Sequence, residues 1–423
     1  MGGSLTHSAL ENAYWGLLIV TYPFISGLVA GSFVVSSLSH VFRQSRFDAL
    51  APLAVLVSLA LLVSAPLTVL ADARQPHVAL TEIFTRDHIP YSPLSMFIVV
   101  WLTYVALMLA ELYFTFRVPN ARLAGAPHWR GRLHRLLTLG RLDTSPAAAA
   151  SDRHVLVYLS TFGIALAFLF HGYIGFVFGA TKARPLWNTP LMPVLFIVSA
   201  MVSGIALMWL VYVLAMAFYG QRPDRAITAG LLRYLVLFLL LDLFLDVVDI
   251  LTSAVPEYSP DPTYYGFFHL LLHGPFTVSY LGVQLGAGVI LPLALWLVPA
   301  VRHSRWGGAA ISLIVLVGVF AMRWNVVFGG QAQSKISAGT LSISVPWTGY
   351  DSVQTVIGVL AVAFIVFMLL AWVFPWRTGH AGEEAPAHLM PGPAPAGTVK
   401  SSPAPTITLA GAGPGTDPLT REG

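Results

Sequence analysis

The sequence predicts an all-α protein whose helices form a polytopic transmembrane bundle. Of its 423 residues, 56% are hydrophobic and only 10% are charged, whereas soluble domains carry about 25% charged residues. This composition excludes a soluble globular protein. The mean hydropathy of +0.74 is typical of a protein whose main solvent is lipid. Apolar stretches long enough to cross about 30 Å of hydrocarbon recur along the sequence.

Nine stretches are predicted to span the membrane, because each has about 20 mainly apolar residues. They cover residues 14–40, 50–70, 94–116, 154–178, 190–218, 227–252, 275–300, 308–328 and 353–375. The first stretch differs from a cleavable signal peptide, since residues 1–12 contain no Lys or Arg and its apolar run is too long. Residues 1–376 are therefore predicted to form one transmembrane domain.

The basic residues orient the predicted bundle. Of the 23 Lys and Arg residues, 16 fall on one face, 5 fall on the opposite face, and Arg233 and Arg323 lie within spans. The positive-inside rule then predicts a cytoplasmic C-terminus and an N-terminus outside. Residues 377–423 are rich in Pro, Gly, Ala, Ser and Thr, which predicts a disordered cytoplasmic tail. The arginine-rich part of the 118–153 loop suits a helix lying on anionic lipid headgroups.

The chain has no cysteine, which excludes thiolate-held iron-sulfur clusters and covalently attached c-type haem. The formal net charge of +4 is too small to indicate nucleic-acid binding, and no metal site is predicted. A haem-binding, cytochrome b-like anchor is one alternative, but His269 and His273 lie on one helical face and cannot ligate opposite sides of one iron. A proton-coupled secondary transporter is another alternative. Such transporters typically contain an internal repeat, but the sequence has no second copy of the group Asp242, Asp246 and Asp249.

Acidic residues within the spans are candidates for proton transfer, because charges in lipid are costly and usually functional. Asp242, Asp246 and Asp249 are spaced four and three residues apart, which places them on one face of the sixth span. Glu111 in the third span and Arg323 in the eighth are further candidates. For Glu111, the alternative is a structural hydrogen bond or a side chain that reaches the membrane interface. The alternative is a packed polar seam in which the aspartates pair with Arg323 or Arg233 and transport nothing.

A second group of polar residues lies near the predicted outer face. The fourth span ends with His171 and Tyr173, which are flanked by glycines. A histidine and a tyrosine can hydrogen-bond the two carbonyls of a quinone and exchange protons with them. Asn12 and Trp15 open the first span on the same face. The alternative is a packing histidine and an interfacial aromatic belt.

Several motifs resemble those of the NrfD/PsrC family of quinone-interacting integral membrane subunits, and the resemblance covers most of residues 10–375. They are the loop at residues 72–76, the segment 91–95, the loop at 179–190 and the segment 323–331. The most specific piece is residues 184–187, Arg-Pro-Leu-Trp. Gln75 stands where this family more often has arginine, and nine spans differ from the eight or ten of its known branches.

The resemblance implies a membrane anchor subunit of a respiratory oxidoreductase complex in a bacterial or archaeal cytoplasmic (inner) membrane. Such a subunit binds menaquinone or ubiquinone near the outer face, carries no haem or iron-sulfur cluster, and is not catalytic alone. Its implied partners are a ferredoxin-like iron-sulfur subunit on the outer face and a molybdopterin catalytic subunit. Tyr173 matches the family's quinone-contacting tyrosine, and Arg184 and Trp187 lie in the adjoining loop. Proton translocation is a further expectation.

Overall fold

The computed structural model describes residues 15–73, 77, 81, 93–184, 186–254, 269–332 and 343–379. Asn12 and the tail from residue 380 onward lie outside these ranges. Every regular element in the described ranges is helical, so the all-α prediction is confirmed. We number the helices α1 to α10 in sequence order. They are α1 Leu17–His40, α2 Ala51–Asp72, α3 Pro93–Leu123, α4 His128–Leu137, α5 Pro146–Gly179, α6 Met192–Phe218, α7 Arg225–Ala254, α8 Val278–Leu297, α9 Arg305–Ala332 and α10 Val353–Val373.

Eight helices among the described residues are long and apolar enough to cross a membrane, so the protein is a multi-pass membrane protein. Helix α7 corresponds to the sixth predicted span and is 30 residues long. Its two arginines and three aspartates make it more polar than the other eight. The count of nine spans and the positive-inside orientation therefore stay predictions. We call the arginine-rich side the basic face and the other side the opposite face.

Helix α1 lies at the centre of the bundle and contacts α2, α5, α6, α9 and α10. Glycines allow the closest of these contacts. A Cβ atom on Gly31 would lie 2.7 Å from Gly204 Cα, and a Cβ on Gly204 would lie 2.3 Å from Gly31 Cα. The α1 and α6 backbones thus touch directly, as is common where small residues four apart line a transmembrane helix.

The start of α1 is fixed by the loop that precedes α10. Asp351 Oδ2 accepts the Leu17 N–H at 3.1 Å and Asp351 Oδ1 accepts the Leu18 N–H at 2.8 Å. Both donors would otherwise lack a partner in the first helical turn. Gly16 makes room for the carboxylate, because a Cβ there would lie 1.3 Å from Asp351 Oδ2. The opposite-face end of α1 is therefore held in register with the rest of the bundle.

The arginine-rich loop at the basic face contains α4, a short amphipathic helix, as the sequence suggested. Arg117 Nη2 forms an ion pair with Asp152 Oδ2 at 2.5 Å, and Arg117 Nη1 donates to the Asp143 carbonyl at 2.7 Å. His134 Nδ1 lies 3.1 Å from Asn120 Oδ1. These contacts fasten α4 to the end of α3, and α3 to the start of α5.

Candidate functional site

Arg323 of α9 occupies the centre of the most polar region inside the bundle and is 0% exposed. Its Nη2 lies 3.0 Å from His171 Nε2 and donates to Ser199 Oγ at 2.6 Å. Its Cζ lies 4.0 Å from the centroid of the Phe196 ring, a cation-π contact. Its Nη1 donates only to the weak acceptor Met322 Sδ, at 3.2 Å, and its Nε has no partner among the described residues. This guanidinium therefore retains donors for a further acceptor.

His171 of α5 is also fully buried. Its Nδ1 lies 3.3 Å from Ser26 Oγ on α1, and its ring stacks on Phe196 with centroids 5.5 Å apart. Gly27 allows this approach, because a Cβ there would lie 3.2 Å from the imidazole. We call Ser26, His171, Phe196, Ser199 and Arg323 the Arg323 cluster. At 1.5 Å per residue, it lies roughly 10–12 Å below the helix ends of the opposite face.

Arg323 does not form an ion pair with the aspartates of α7, contrary to the packed-seam alternative. Among the described residues, no carboxylate oxygen lies within 4.0 Å of its guanidinium. A cavity of about 10 Å³ lies next to Asp242, and Ser199 and Met322 also line it. This volume is about what a single water molecule needs. Asp242 also acts electrostatically on Arg323.

Of the three aspartates of α7, Asp242 lines this cavity. Asp242 and Asp246 are buried, and Asp249 is half-buried. Asp246 and Asp249 lie near enough to Tyr280 of α8 to interact with it electrostatically. The stripe predicted from the spacing thus lies along the α8 side of α7.

A second polar row joins α8 and α9 beside the aspartates. Ser279 Oγ donates to Asn325 Oδ1 at 2.6 Å, and Asn325 Nδ2 donates to Gln284 Oε1 at 2.9 Å. Gln284 also lines the small cavity with Asp242. Both helices are π-helical here, over Val278–Ile290 and Asn325–Gly329. Such π segments are frequent at functional sites because they redirect side chains.

Tyr173 faces a different direction from His171. Residues two apart on a helix point about 200° apart, and Tyr173 packs on Phe97 of α3 at 5.9 Å between ring centroids. Phe97 also contacts Phe170 at 5.4 Å and Tyr22 of α1 at 6.1 Å. We call Tyr22, Phe97, Phe170 and Tyr173 the aromatic cluster. No hydrogen bond of the Tyr22 or Tyr173 hydroxyl is found within the part of the protein that the structure describes.

Trp15, Arg184 and Trp187 close the bundle at the opposite face. The Trp15 and Trp187 rings stack with centroids 5.1 Å apart, and Trp187 Nε1 donates to the Val326 carbonyl at 2.6 Å. Gln331 exchanges two hydrogen bonds with the Trp15 backbone, at 3.0 and 2.8 Å. Arg184 Nη1 donates to the Gln331 carbonyl at 3.3 Å. These side chains join the loop, α1 and α9 above the Arg323 cluster.

Glu111 lies apart from both clusters. It is fully buried between α3 and α5, where Ser160 Oγ donates to its Oε1 at 2.8 Å and its Oε2 meets no partner in the described ranges. The nearby Tyr104 hydroxyl is also buried without a described partner. The structure therefore makes Glu111 an internal polar group, not a residue that reaches the membrane interface.

Two other features bear on cofactors. No group of three or more His, Cys, Asp or Glu side chains suited to a metal ion occurs in the described ranges. His269 and His273 stack on each other with ring centroids 5.0 Å apart, as their spacing on one helix requires. Tyr22, Ser26 and Ser199 are not predicted as site residues from the sequence; the glycines at 27 and 31 of α1 were the available signal for a close helix contact there.

Comparisons with known proteins agree with this architecture. The family described as "Polysulphide reductase, NrfD" matches residues 6–335. A selenate reductase subunit of Mesobacillus selenatarsenatis is 31% identical over 322 residues, 74% of this chain and 73% of the relative. A putative dimethyl sulfoxide reductase membrane subunit of Halobacterium salinarum is 26% identical over 339 residues, 79% of this chain and 73% of the relative. The protein named NrfD in Escherichia coli is 30% identical over 177 residues, 41% of this chain and 52% of the relative. A family match over most of the sequence, together with these polar groups inside a multi-pass helix bundle, shows that the chain belongs to the NrfD family.

Proposed function

We propose that this chain is the quinone-binding membrane anchor subunit of a respiratory oxidoreductase complex in the cytoplasmic membrane. The relatives named as subunits of reductases support the anchor role. The observation that carries the quinone assignment is the Arg323 cluster, which lies one helical turn below the aromatic cluster. Its buried guanidinium has an Nε that forms no hydrogen bond with a described residue.

The aromatic cluster has the chemistry that a quinone head group requires. A menaquinone or ubiquinone head is a flat ring with two carbonyl acceptors, and on reduction it takes up two electrons and two protons. The Phe97 ring offers a stacking surface, and the Tyr22 and Tyr173 hydroxyls are donors that no described residue uses. Tyr173 is half-buried, and the adjoining α3 exposes Val99 and Leu102, which gives access from lipid.

The Arg323 cluster fixes the protonation pattern of His171. A guanidinium can only donate, so His171 Nε2 must accept from Arg323, and the imidazole proton resides on Nδ1. Nδ1–H then points at Ser26 Oγ, one turn below Tyr22 on α1. His171 therefore orients the Ser26 hydroxyl and does not relay a proton itself, because its Nε2 lone pair already accepts from Arg323. Arg323 also provides a positive charge in a site from which bulk water is excluded.

The aspartates of α7 provide a route for protons toward this cluster. Asp242 borders the one-water cavity next to Ser199, and Asp246 and Asp249 continue along the same helical face. We assign Glu111 to a separate route from the basic face, since its Oε2 lies between α3 and α5 without a described partner. Electrons enter from an iron-sulfur partner that docks on the opposite face, where the Trp15 and Trp187 layer closes the bundle, and a molybdopterin subunit is the third component.

Removing both hydroxyls of the aromatic cluster tests the quinone site. The Tyr22→Phe/Tyr173→Phe variant is expected to bind a soluble naphthoquinone analogue about tenfold or more weakly, since two hydrogen bonds contribute about 1–3 kcal/mol. Tryptophan fluorescence of the purified full-length protein measures the affinity. Tyr158→Phe is the matched control, because Tyr158 lies on the same helix as Tyr173 and is 76% exposed. Equal affinities in the double variant and the control would contradict this site.

Replacing one aspartate tests the proton route. Asp242→Asn is expected to slow proton uptake by the assembled complex about tenfold or more, because an amide cannot relay a proton. Asp242→Glu is expected to restore most of the rate. Proton uptake is measured with a pH-sensitive dye in vesicles during quinone-linked turnover, and analogue binding serves as the check on folding. Unchanged uptake in Asp242→Asn would remove Asp242 from the route.

A further inference from the structure

A cavity of about 520 Å³ opens at the basic face, between α6, α7 and the segment that joins α8 to α9. It has no part in the quinone or proton chemistry proposed above. We call it the basic cavity and define it by Trp209, Arg222, Arg225, Arg302, His303 and Arg305. Its volume lies in the range of small-molecule sites.

Four arginines line the basic cavity, and its lining among the described residues includes no carboxylate. In the described part of the protein, none of the four lies within 4.0 Å of a carboxylate. Asp224 is the acidic residue of the same loop, and its Oδ1 accepts the Ala226 N–H at 2.7 Å. The positive-inside rule explains why arginines occur on this face. It does not explain why four of them surround one concave space without counter-charges.

Two further features favour an anion. Helices α7 and α9 begin at Arg225 and Arg305, so the positive ends of two long helix dipoles face the cavity. Arg302 and Arg305 also lie over Trp296 and Trp306, with Cζ 5.5 and 5.6 Å from the ring centroids. These contacts restrict both arginines and reduce the entropy that a bound anion would cost them.

The floor of the basic cavity is apolar. Trp209 is 2% exposed, and its Nε1 donates to the Thr228 carbonyl at 3.2 Å. Gly308 admits the indole, because a Cβ there would lie 2.2 Å from Trp209 Cζ2. Next to the cavity, the bundle exposes Trp306 and Leu297 by 74% and 69%. The basic cavity thus has arginines at its opening, an apolar floor and exposed apolar side chains beside it. This arrangement fits an amphiphile better than a free ion.

We propose that the basic cavity binds the phosphate group of an anionic phospholipid from the cytoplasmic leaflet. The arginines hold the phosphate oxygens through charge-assisted hydrogen bonds. The acyl chains extend over the exposed apolar side chains of α8 and α9. Basic pockets between transmembrane helices on this side of a membrane are suited to such headgroups.

Native mass spectrometry of the delipidated full-length protein, titrated with cardiolipin or phosphatidylcholine, tests this site. The Arg222→Gln/Arg302→Gln/Arg305→Gln variant is expected to bind cardiolipin at least about tenfold more weakly than wild type. Phosphatidylcholine binding is expected to stay unchanged. The matched control is Arg122→Gln/Arg141→Gln/Arg153→Gln, which removes the same charge from exposed positions of the same face. It is expected to keep cardiolipin affinity within about threefold.

Equal weakening in both triple variants would overturn the proposal, because it would show a general charge effect. Millimolar inorganic phosphate is a separate arm. If phosphate raises the Tm of wild type but not of the test variant, while cardiolipin binds both equally, the ligand is free phosphate and the lipid assignment is wrong. Unchanged naphthoquinone binding shows that the test variant is folded. If it does not fold, the milder Arg222→Gln/Arg225→Gln variant, at two exposed positions, takes its place.

Discussion

Replacing Arg323 with Gln is expected to lower quinone-linked turnover of the assembled complex by about 100-fold or more. Removal of one preorganised donor from a buried site typically costs that much, and this variant also removes the charge beside His171. The loss should appear in turnover more than in assembly, because replacing a buried charge with a neutral side chain leaves no unpaired ion behind. Turnover in membrane vesicles, normalised to the amount of assembled complex, is the measurement.

Arg233→Gln is the matched control for this experiment. Arg233 also lies within a predicted span, but it is exposed on α7, so its loss changes the net charge equally and leaves the Arg323 cluster intact. Turnover of this control is expected to stay within about threefold of wild type. If Arg323→Gln retains the same turnover as Arg233→Gln, Arg323 has no role at the quinone site.

Gly204→Ala is expected to produce the largest loss of stability. The new Cβ would lie 2.3 Å from Gly31 Cα and 2.7 Å from Ser32 N, so α1 and α6 must move apart along their whole contact. Overpacking of this kind costs about 1–3 kcal/mol or more. For a large domain, this lowers the Tm by about 5–10 °C. The Tm of the detergent-solubilised protein, followed by circular dichroism, is the measurement.

Gly358→Ala is the control for the glycine experiment. Gly358 lies on α10, and a Cβ there meets nothing within 4 Å among the described residues. Its Tm is expected to stay within about 2 °C of wild type. A Gly204→Ala variant as stable as this control would mean that the α1–α6 contact is looser than the structure shows. Because α1 carries both Tyr22 and Ser26, Gly204→Ala is also expected to weaken naphthoquinone binding.

Hydropathy alone predicted the helices and their approximate ends. Each of the nine predicted stretches coincides with a long helix, because the energetic cost of exposing backbone polar groups to lipid leaves an apolar stretch few alternatives. Charge spacing predicted that Asp242, Asp246 and Asp249 share one face, since helical periodicity is local. The family was also predicted, from loop motifs such as residues 184–187.

The partners of each polar residue could not be predicted in the same way. Closeness in sequence predicts that His171 and Tyr173 form one site, but the helix turns them about 200° apart. A buried arginine predicts a carboxylate partner, but Arg323 bonds His171 and Ser199 on two other helices. Asn12 lies outside the described residues, so its expected role stays a prediction.

By itself, the sequence determined that this is a multi-pass helical membrane protein of the NrfD family with no thiolate redox centre of its own. Those properties follow from composition, local periodicity and short motifs. Only the tertiary structure decided that Arg323 binds His171, that Asp242 and Ser199 line one small cavity, and that Tyr22 joins Tyr173 around Phe97. The physical reason is that these contacts depend on how helices rotate and approach one another, which small residues such as Gly27, Gly31 and Gly204 control through steric contact between distant parts of the sequence.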